Sequence, residues 1–294
     1  MRVFVTGATG FVGSAVVRAL VGAGHEVVGL VRSDAGQRAL EGSGAVALHG
    51  SVEDDDTLRA GVDRVDAVIH TAFNHDFSKF KQSCESDGRV IAALGAALEG
   101  SARPLIVTSP LGILPRGVLV SEETAPLSGP NAHPRAATEA ALDAIVRRGV
   151  RATVVRLPPT VHGKGDPHFV KALIELARVK GKSAFIGEGA NRWPAVHRLD
   201  AALVYRLVLE RGFEPGTRFH AVAEEGVMLR DIATAIGRGL GVGVGSEAPT
   251  HFGGIAGFVA LDLRASSTRT RQTLDWHPTH PDLLADLDLN YFDT

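Results

Sequence analysis

"MRVFVTGATGFVGSAVVRAL", residues 1–20, decides how the rest of the chain is read. A short β-branched run, "RVFVT" (2–6), ends in a turn carrying Gly7, Gly10 and Gly13, and a helical pattern continues from about 11 to 23. Glycine at such a turn lets the backbone bend and come close to a pyrophosphate. The helix that follows offers unpaired N–H groups and the positive end of its dipole to the phosphates. Three glycines alone say little in a chain that has 34 of them. The strand–turn–helix setting is what points to a bound dinucleotide, against the plainer alternative of a tight turn that serves packing only.

Outward from this turn the same rhythm repeats. "EVVGLV" (26–31), "AVALH" (45–49), "DAVIHT" (66–71), "PLIVTS" (104–109) and "RATVVRL" (151–157) predict strands. Helical patterns fall between them at about 35–41, 54–62, 77–99 and 132–148. Strands that are apolar throughout and separated by helices imply a parallel sheet covered on both faces, so the fold class is α/β, a doubly wound (Rossmann) sheet. After about residue 157 the pattern loosens. Helices are predicted within 166–181, 198–212 and 229–241, with short strands at "SAFIG" (183–187) and "TRFHAVA" (217–223). The expected organisation is a dinucleotide-binding domain over 1–160, to which a late strand and helix return from about 190–222. Residues 161–294 mostly form a smaller lobe over the carboxyl ends of the strands, where ligands of such sheets bind.

Composition excludes several classes. A hydrophobic content of 45% with 22% charged residues is ordinary for a globular chain, and a net charge of −2 gives no field to gather nucleic acid or an anionic membrane. The dense basic stretch "VRRGVR" (146–151) reads as a solvated helix end. No apolar run reaches the roughly 20 residues that span a bilayer, and the first residues form a strand rather than a signal peptide. The single cysteine, Cys84, excludes an internal disulfide and fits a reducing cytoplasm, which is the expected location. It reads as a small residue on a helix.

The end of the second predicted strand bears on the cofactor. An acid about 20 residues beyond the glycines would hold both adenosine ribose hydroxyls and favour NAD(H). Here Val31 stands at that place and Arg32–Ser33 follow. A guanidinium and a hydroxyl suit a 2′-phosphate, so NADP(H) is favoured. The competing arrangement leaves Arg32 as a surface charge and gives the ribose to Asp34.

With these residues in view, the chain resembles the short-chain dehydrogenase/reductase superfamily, in its extended or atypical, epimerase/dehydratase-like branch. "TGATGFVG" (6–13) matches that branch's Thr-Gly-x-x-Gly-x-x-Gly motif. "DAVIHTAF" (66–73) resembles its fourth-strand segment, "VVRLPPTVHG" (154–163) the sixth-strand segment beside the nicotinamide, and "WPAVHRLDAA" (193–202) the entry to the substrate lobe. The likeness implies cofactor contacts from Thr9, Phe11 and Val12 beside the three glycines, from Thr71, Ala72 and Phe73, from Thr108, and from Leu157, Pro158 and Pro159. The branch often pairs through helices beside the sheet, so a homodimer is an expectation. In this superfamily a Ser or Thr after strand five polarises a carbonyl and a Tyr moves the proton. A Lys four residues after that Tyr holds the ribose and lowers the phenol pKa.

That pair is missing. The chain has two tyrosines, Tyr205 and Tyr291, and neither precedes a lysine by four. Setting Glu139 on the family's helix glutamate puts Arg135 at the lysine position and Asn131 at the tyrosine position. "IVTSPLG" (106–112) keeps Thr108 and Ser109 but places Pro110 where the usual hydroxyl falls. An atypical subgroup is similar in lacking the tyrosine and carries His-x-x-x-Arg there; here Asn131 replaces that histidine and His133 lies two residues on. Arg135 can clamp a ribose or phosphate but cannot trade protons usefully, and it reads equally as a solvated helix charge. Candidate proton donors are His133, which reads also as a helix-start residue, and His162 after strand six, which reads also as a loop residue bonded to backbone. His75 lies at the ligand edge beside Asp76, although a plain helix cap by Asp76 accounts for that pair. Trp193 and His197 border the interlobe pocket, with ordinary packing as the alternative, and Phe73 and Phe77 would add an apolar wall. "HPTH" (277–280) does not have metal-ligand spacing, so no metal site is assigned.

The function expected from this set is an NADP(H)-dependent oxidoreductase of a small carbonyl compound or alcohol, with Ser109 or a water polarising the carbonyl. A catalytically silent dinucleotide-binding sensor of the same fold is the alternative. Nucleotide-sugar epimerisation or dehydration ranks lower, since it depends on the missing tyrosine.

Overall fold

A computed structural model of the chain describes residues 1–129 and 132–292. Asn131, aligned with the catalytic tyrosine, lies outside the described residues. Seven parallel strands form the central sheet: β1 (Arg2–Thr6), β2 (Glu26–Val31), β3 (Val46–His49), β4 (Ala67–His70), β5 (Leu105–Pro110), and, beyond a two-residue strand β6 (Leu119–Val120), β7 (Ala152–Leu157) and β11 (Arg218–His220). Their spatial order is β11-β7-β5-β4-β1-β2-β3, with every neighbouring pair parallel.

Helices cover both faces, and the alternation along β1 shows how. Val3 and Val5 face a layer in which α1 (Phe11–Gly22) and α7 (Arg198–Arg211) meet through Val16, Leu20, Val204 and Val208. Phe4 faces the other layer, where α3 (Asp55–Val62), α4 (Phe80–Leu98) and α5 (Ala136–Arg147) bury Leu58, Ile91, Leu94, Leu142 and Ile145. Between these, α2 (Asp34–Glu41) links β2 to β3. From β1 to β7 in the central sheet observed strand ends differ from the expected ones by about one residue, whereas α4 begins at Phe80, after a 3-10 turn over Phe77–Lys79, rather than at 77. The largest shift at a helix start is in α5, which begins at Ala136 rather than near 132, because Pro134 disfavours helical geometry before it.

The second lobe holds a three-stranded sheet of β8 (Thr160–His162), β10 (Arg192–His197) and β12 (Glu224–Met228). It also holds the pair β9 (Lys182–Phe185) and β13 (Gly243–Ser246), while β14 (Arg264–Ala265) pairs with β6. Helices α6 (Phe169–Lys180), α8 (Leu229–Leu240), the short α9 (Ala256–Val259) and α11 (Leu283–Asn290) pack around Trp193, while α10 (Thr268–Leu274) returns to α7 and buries Leu274 in the layer beside β1. Of the 190–222 stretch, β11 enters the central sheet and α7 lies on α1, while β10 belongs to the second lobe. Among the described residues no helix is long and apolar enough to cross a membrane.

Candidate active site

The turn between β1 and α1 is a backbone device. Gly7 has φ +68°, and a side chain there would meet Ala72 N at 2.6 Å. A Cβ on Gly13 would collide with the Gly7 carbonyl. Gly10 donates its N–H to Gly7 O at 2.9 Å and opens α1 as its N-cap, with no side chain capping the helix and no acid in its first turn. The first N–H groups of α1 therefore lack side-chain partners, beside exposed Thr9 and Gly10 and half-buried Phe11 and Val12. Thr71 donates its hydroxyl to Thr6 O at 2.8 Å and holds the segment after β4 against this turn. A dinucleotide diphosphate fits this donor set.

At the end of β2, Arg32 is exposed and has no acidic partner within ion-pair distance among the described residues. The Ser33 oxygen accepts the Gly36 N–H at 3.2 Å and caps α2, so Ser33 has a structural task at this edge; Asp34 sits in the first turn of that helix.

Arg135 is neither solvated nor free. It is 6% exposed, its Nη1 lies 3.0 Å from Asp87 of α4, its Nη2 donates to Thr108 O at 3.4 Å, and its guanidinium stacks 3.7 Å over the Phe73 ring. Asp87 is the hub. His70 Nε2 donates to it at 3.2 Å, Thr138 donates its hydroxyl at 2.5 Å, and His70 Nδ1 in turn accepts from the Thr6 hydroxyl at 2.6 Å. Burial alone would raise the Asp87 carboxyl; the His70 bond and the Arg135 charge win and hold it below its usual range. Arg135, expected at the family lysine position, is thus an arginine held against a buried carboxylate.

Two expected catalytic groups are enclosed. Ser109 is completely buried, and along β5 it shares its side with Leu105 and Val107, which face α4 and α5. Its hydroxyl therefore points away from the half-exposed Thr108 beside it. His162 is also completely buried, with Nδ1 donating to Asp286 of α11 at 2.8 Å. Burial would raise Asp286, but the protons of His162 and Asn290 hold it down. Trp193, expected at the pocket rim, is core: it is fully buried and donates its indole N–H to Leu261 O at 3.2 Å. His197 caps α7, accepting the Leu199 N–H at Nδ1, and stacks on His280 at 4.7 Å. Pro158 is buried, and Leu157 and Pro159 are half-buried.

His280, from the "HPTH" stretch, meets His197 and Asp200 with ligand atoms within 4.8 Å of one another. These groups satisfy one another and the backbone. Asp200 accepts from His280 Nδ1 at 2.8 Å and from the N–H groups of Thr279 and His280 at 3.1 Å, which makes the cluster a clamp on the 275–280 loop.

His133 and His75 remain at the edge. His133 Nδ1 accepts the Arg135 N–H at 3.2 Å, which leaves the proton of its neutral ring on Nε2, and the ring packs edge-on to Phe80. Burial, then Arg116 and Arg135, push its pKa down. His75 is pushed down to about 4 by desolvation, then by His168 and Arg135. Asp76 caps a helical turn, accepting from Ser78 N–H at 3.0 Å, as the plain alternative expects.

Several participants escape a search for motifs. Tyr205 reaches from α7 to within 2.8 Å of the Thr108 hydroxyl, and its burial raises its pKa. Tyr291 donates to Asp166 at 3.0 Å and accepts the Gly163 N–H at 3.2 Å, tying the chain's end to the loop after β8. The visible signal for Asp87 is an acid inside the stripe Ser83, Cys84, Val90, Ile91 and Leu94, since an unpaired carboxylate does not survive there. For Tyr291 no local signal exists.

Comparison with known proteins agrees with this geometry. An uncharacterised protein of Schizosaccharomyces pombe is 48% identical over 291 residues, 98% of either chain. The 2-alkyl-3-oxoalkanoate reductase of Stenotrophomonas maltophilia is 31% identical over 222 residues, 71% of this chain and 66% of that one. The solved dTDP-glucose 4,6-dehydratase DesIV of Streptomyces venezuelae, with NAD bound, superposes with a TM-score of 0.78 at 19% identity, over 99% of this chain and 95% of that one, which is a likeness of fold. The model of the NAD dependent epimerase/dehydratase family matches residues 3–220, and with the cradle and sheet order described above the chain belongs to that family.

Proposed function

We propose that the chain is an NADP(H)-dependent oxidoreductase that reduces a small carbonyl compound, or oxidises the corresponding alcohol, in the cytoplasm and without a tyrosine–lysine pair. The observation that carries this reading is the unpaired guanidinium of Arg32 at the end of β2, beside a helix N-terminus with no side-chain cap. A 2′-phosphate offers Arg32 the charge-assisted partner that the described residues do not. Bound nicotinamide supplies the hydride. Gly7, Gly10 and Gly13 keep the turn low enough for the diphosphate, and the segment Thr71–Phe73 with Leu157–Pro159 flanks the nicotinamide end.

Arg135, held by Asp87 and Phe73, fixes a positive charge at the floor of the site. His133 is the residue proposed to meet the substrate oxygen, because its Nε2 proton is free to donate once Nδ1 is engaged by Arg135 N–H. With its pKa pushed down it is neutral near pH 7, so it polarises the carbonyl as a hydrogen-bond donor and draws the final proton from solvent. The 2-alkyl-3-oxoalkanoate reductase among the relatives supports reduction of a ketone.

Fluorescence titration with NADPH and NADH tests the reading. Arg32→Ala is expected to weaken NADPH binding about 10- to 100-fold, as the loss of one charged hydrogen-bonded pair would, and to leave NADH within about twofold. Equal loss for both coenzymes would defeat the NADP(H) assignment. Tight NADPH binding with no turnover on any aldehyde or ketone would favour the silent sensor.

A further inference from the structure

We infer that this oxidoreductase takes substrates with an uncharged, apolar body, an alkyl chain or aryl ring of six or more carbons, rather than nucleotide-linked sugars. The inference rests on the function proposed above and concerns the substrate side of the same site. Aromatic residues make up only 5% of the chain, yet five of its twelve phenylalanines form one run of contacts from the carboxyl edge of the sheet to the second lobe. From the segment after β4, Phe73 packs edge-on to Phe80 at 6.2 Å, and Phe80 stacks with Phe77 at 5.7 Å. Phe77 continues across to Phe169 of α6 at 6.0 Å, and Phe169 stacks on Phe258 at 3.4 Å. Phe77 is 60% exposed at the open side of this run of rings.

The polar groups set directly among these rings are one paired arginine and three imidazoles, with Arg116 near His133 and Arg198 over the Phe11 ring as the cations at hand. The guanidinium of Arg135 is paired with Asp87 and faces Phe73. His133 and His168 are held below the ordinary imidazole range, chiefly by desolvation, and the exposed His75 is shifted the same way. A diphosphate sugar asks for cationic partners to two phosphates, and the rings themselves offer none. An apolar body asks for contact area and water exclusion, which rings supply, while a neutral imidazole still donates to the carbonyl.

The test compares methyl ketones from butanone to octan-2-one, with NADPH affinity measured first. Each added methylene is expected to raise kcat/KM about fourfold, the worth of about 0.8 kcal/mol at 1.4 kcal/mol per tenfold. Phe77→Ala is expected to lower the octan-2-one to butanone ratio at least tenfold, and Phe169→Ala serves as the second variant on the facing lobe. A flat series, or displacement of octan-2-one by micromolar UDP-glucose, would overturn the inference. If NADPH binds and no ketone turns over, calorimetry of octan-2-one against butanone on the NADP+ complex decides, with equal affinities overturning it. Failure to bind NADPH would instead remove the parent reading, and the same calorimetry on the free protein would still judge this one.

Discussion

The turn after β1 and the start of α5 both serve the carboxyl edge of the sheet, but they are built from different materials. The turn is backbone: Gly7, Gly10 and Gly13 clear a path, and the contacts that shape it come from within these seven residues and from the Thr71–Ala72 segment. The start of α5 is a side-chain assembly. Arg135 is placed by Asp87, and Asp87 is held by His70 and by Thr138, 17 and 51 positions away; His70 reaches Thr6, 64 positions away. A device of the first kind tolerates no added atom but needs no partner. One of the second kind stands or falls with its least replaceable member.

The sharpest break in that comparison is Asp87→Ala. It leaves a guanidinium 6% exposed without its counter-charge and takes the acceptor from His70 and Thr138. Removing one partner of a buried pair is expected to cost about 3–5 kcal/mol, read by urea unfolding. Adding Arg135→Met should return more than half of that, because the stranded charge then goes too. A loss under about 1 kcal/mol for the single variant would mean that the α5 start is not organised by Asp87.

Gly13→Ala probes the other material. Its Cβ meets the Gly7 carbonyl and the Thr71 side chain, and neither can retreat without moving the turn or its brace. Overpacking of this sort is expected to cost about 1–3 kcal/mol, with a drop in NADPH affinity of more than about tenfold, since the displaced backbone is itself the ligand-binding group. Asp87→Ala should show the reverse ratio, a large stability loss with diphosphate affinity largely kept in the folded fraction. Matching ratios would erase the distinction between the two regions.

How much the sequence reveals follows the same line. Strand and helix positions are legible because an apolar run or a 3.6-residue stripe is local information, and the cradle is legible because glycine spacing is local too. The site's side chains are legible only in part. Arg135 can be placed by register against Glu139, but its burial depends on Asp87, Phe73 and Thr108, which come from three other segments. Ser109 and His162 look catalytic from their place after strands, yet each is enclosed, Ser109 on the α5 side of β5 and His162 against Asp286 from 124 residues downstream. Tyr205 fails the spacing test for a catalytic tyrosine and still reaches Thr108, because α7 lies under β5 rather than after it.

The smallest expected effect concerns a third network, at β11, and it sharpens the comparison by pH alone. His220 is completely buried; its Nδ1 donates to Ser266 O at 2.8 Å, and its Nε2 accepts from Arg156 at 3.2 Å. Arg156 is itself clasped by Glu139 through two bonds of 2.8 Å. Desolvation, then the Arg156 charge, push the His220 pKa down to about 4 from 6.5. The folded state therefore favours the neutral ring. Its contribution is complete above pH 6.5, where both states are neutral, and is lost as pH falls from 6.5 toward 4 while the unfolded chain takes up a proton that the folded chain resists. Between pH 7 and pH 5 that amounts to about 2 kcal/mol. His220→Gln, which keeps a donor and an acceptor without titrating, should flatten the stability profile by about that amount, whereas Gly13→Ala should shift the profile down without changing its slope. An unchanged slope in His220→Gln would show that the acid sensitivity lies elsewhere, with His197, also pushed down to about 4 by burial and by His162, the next histidine to replace.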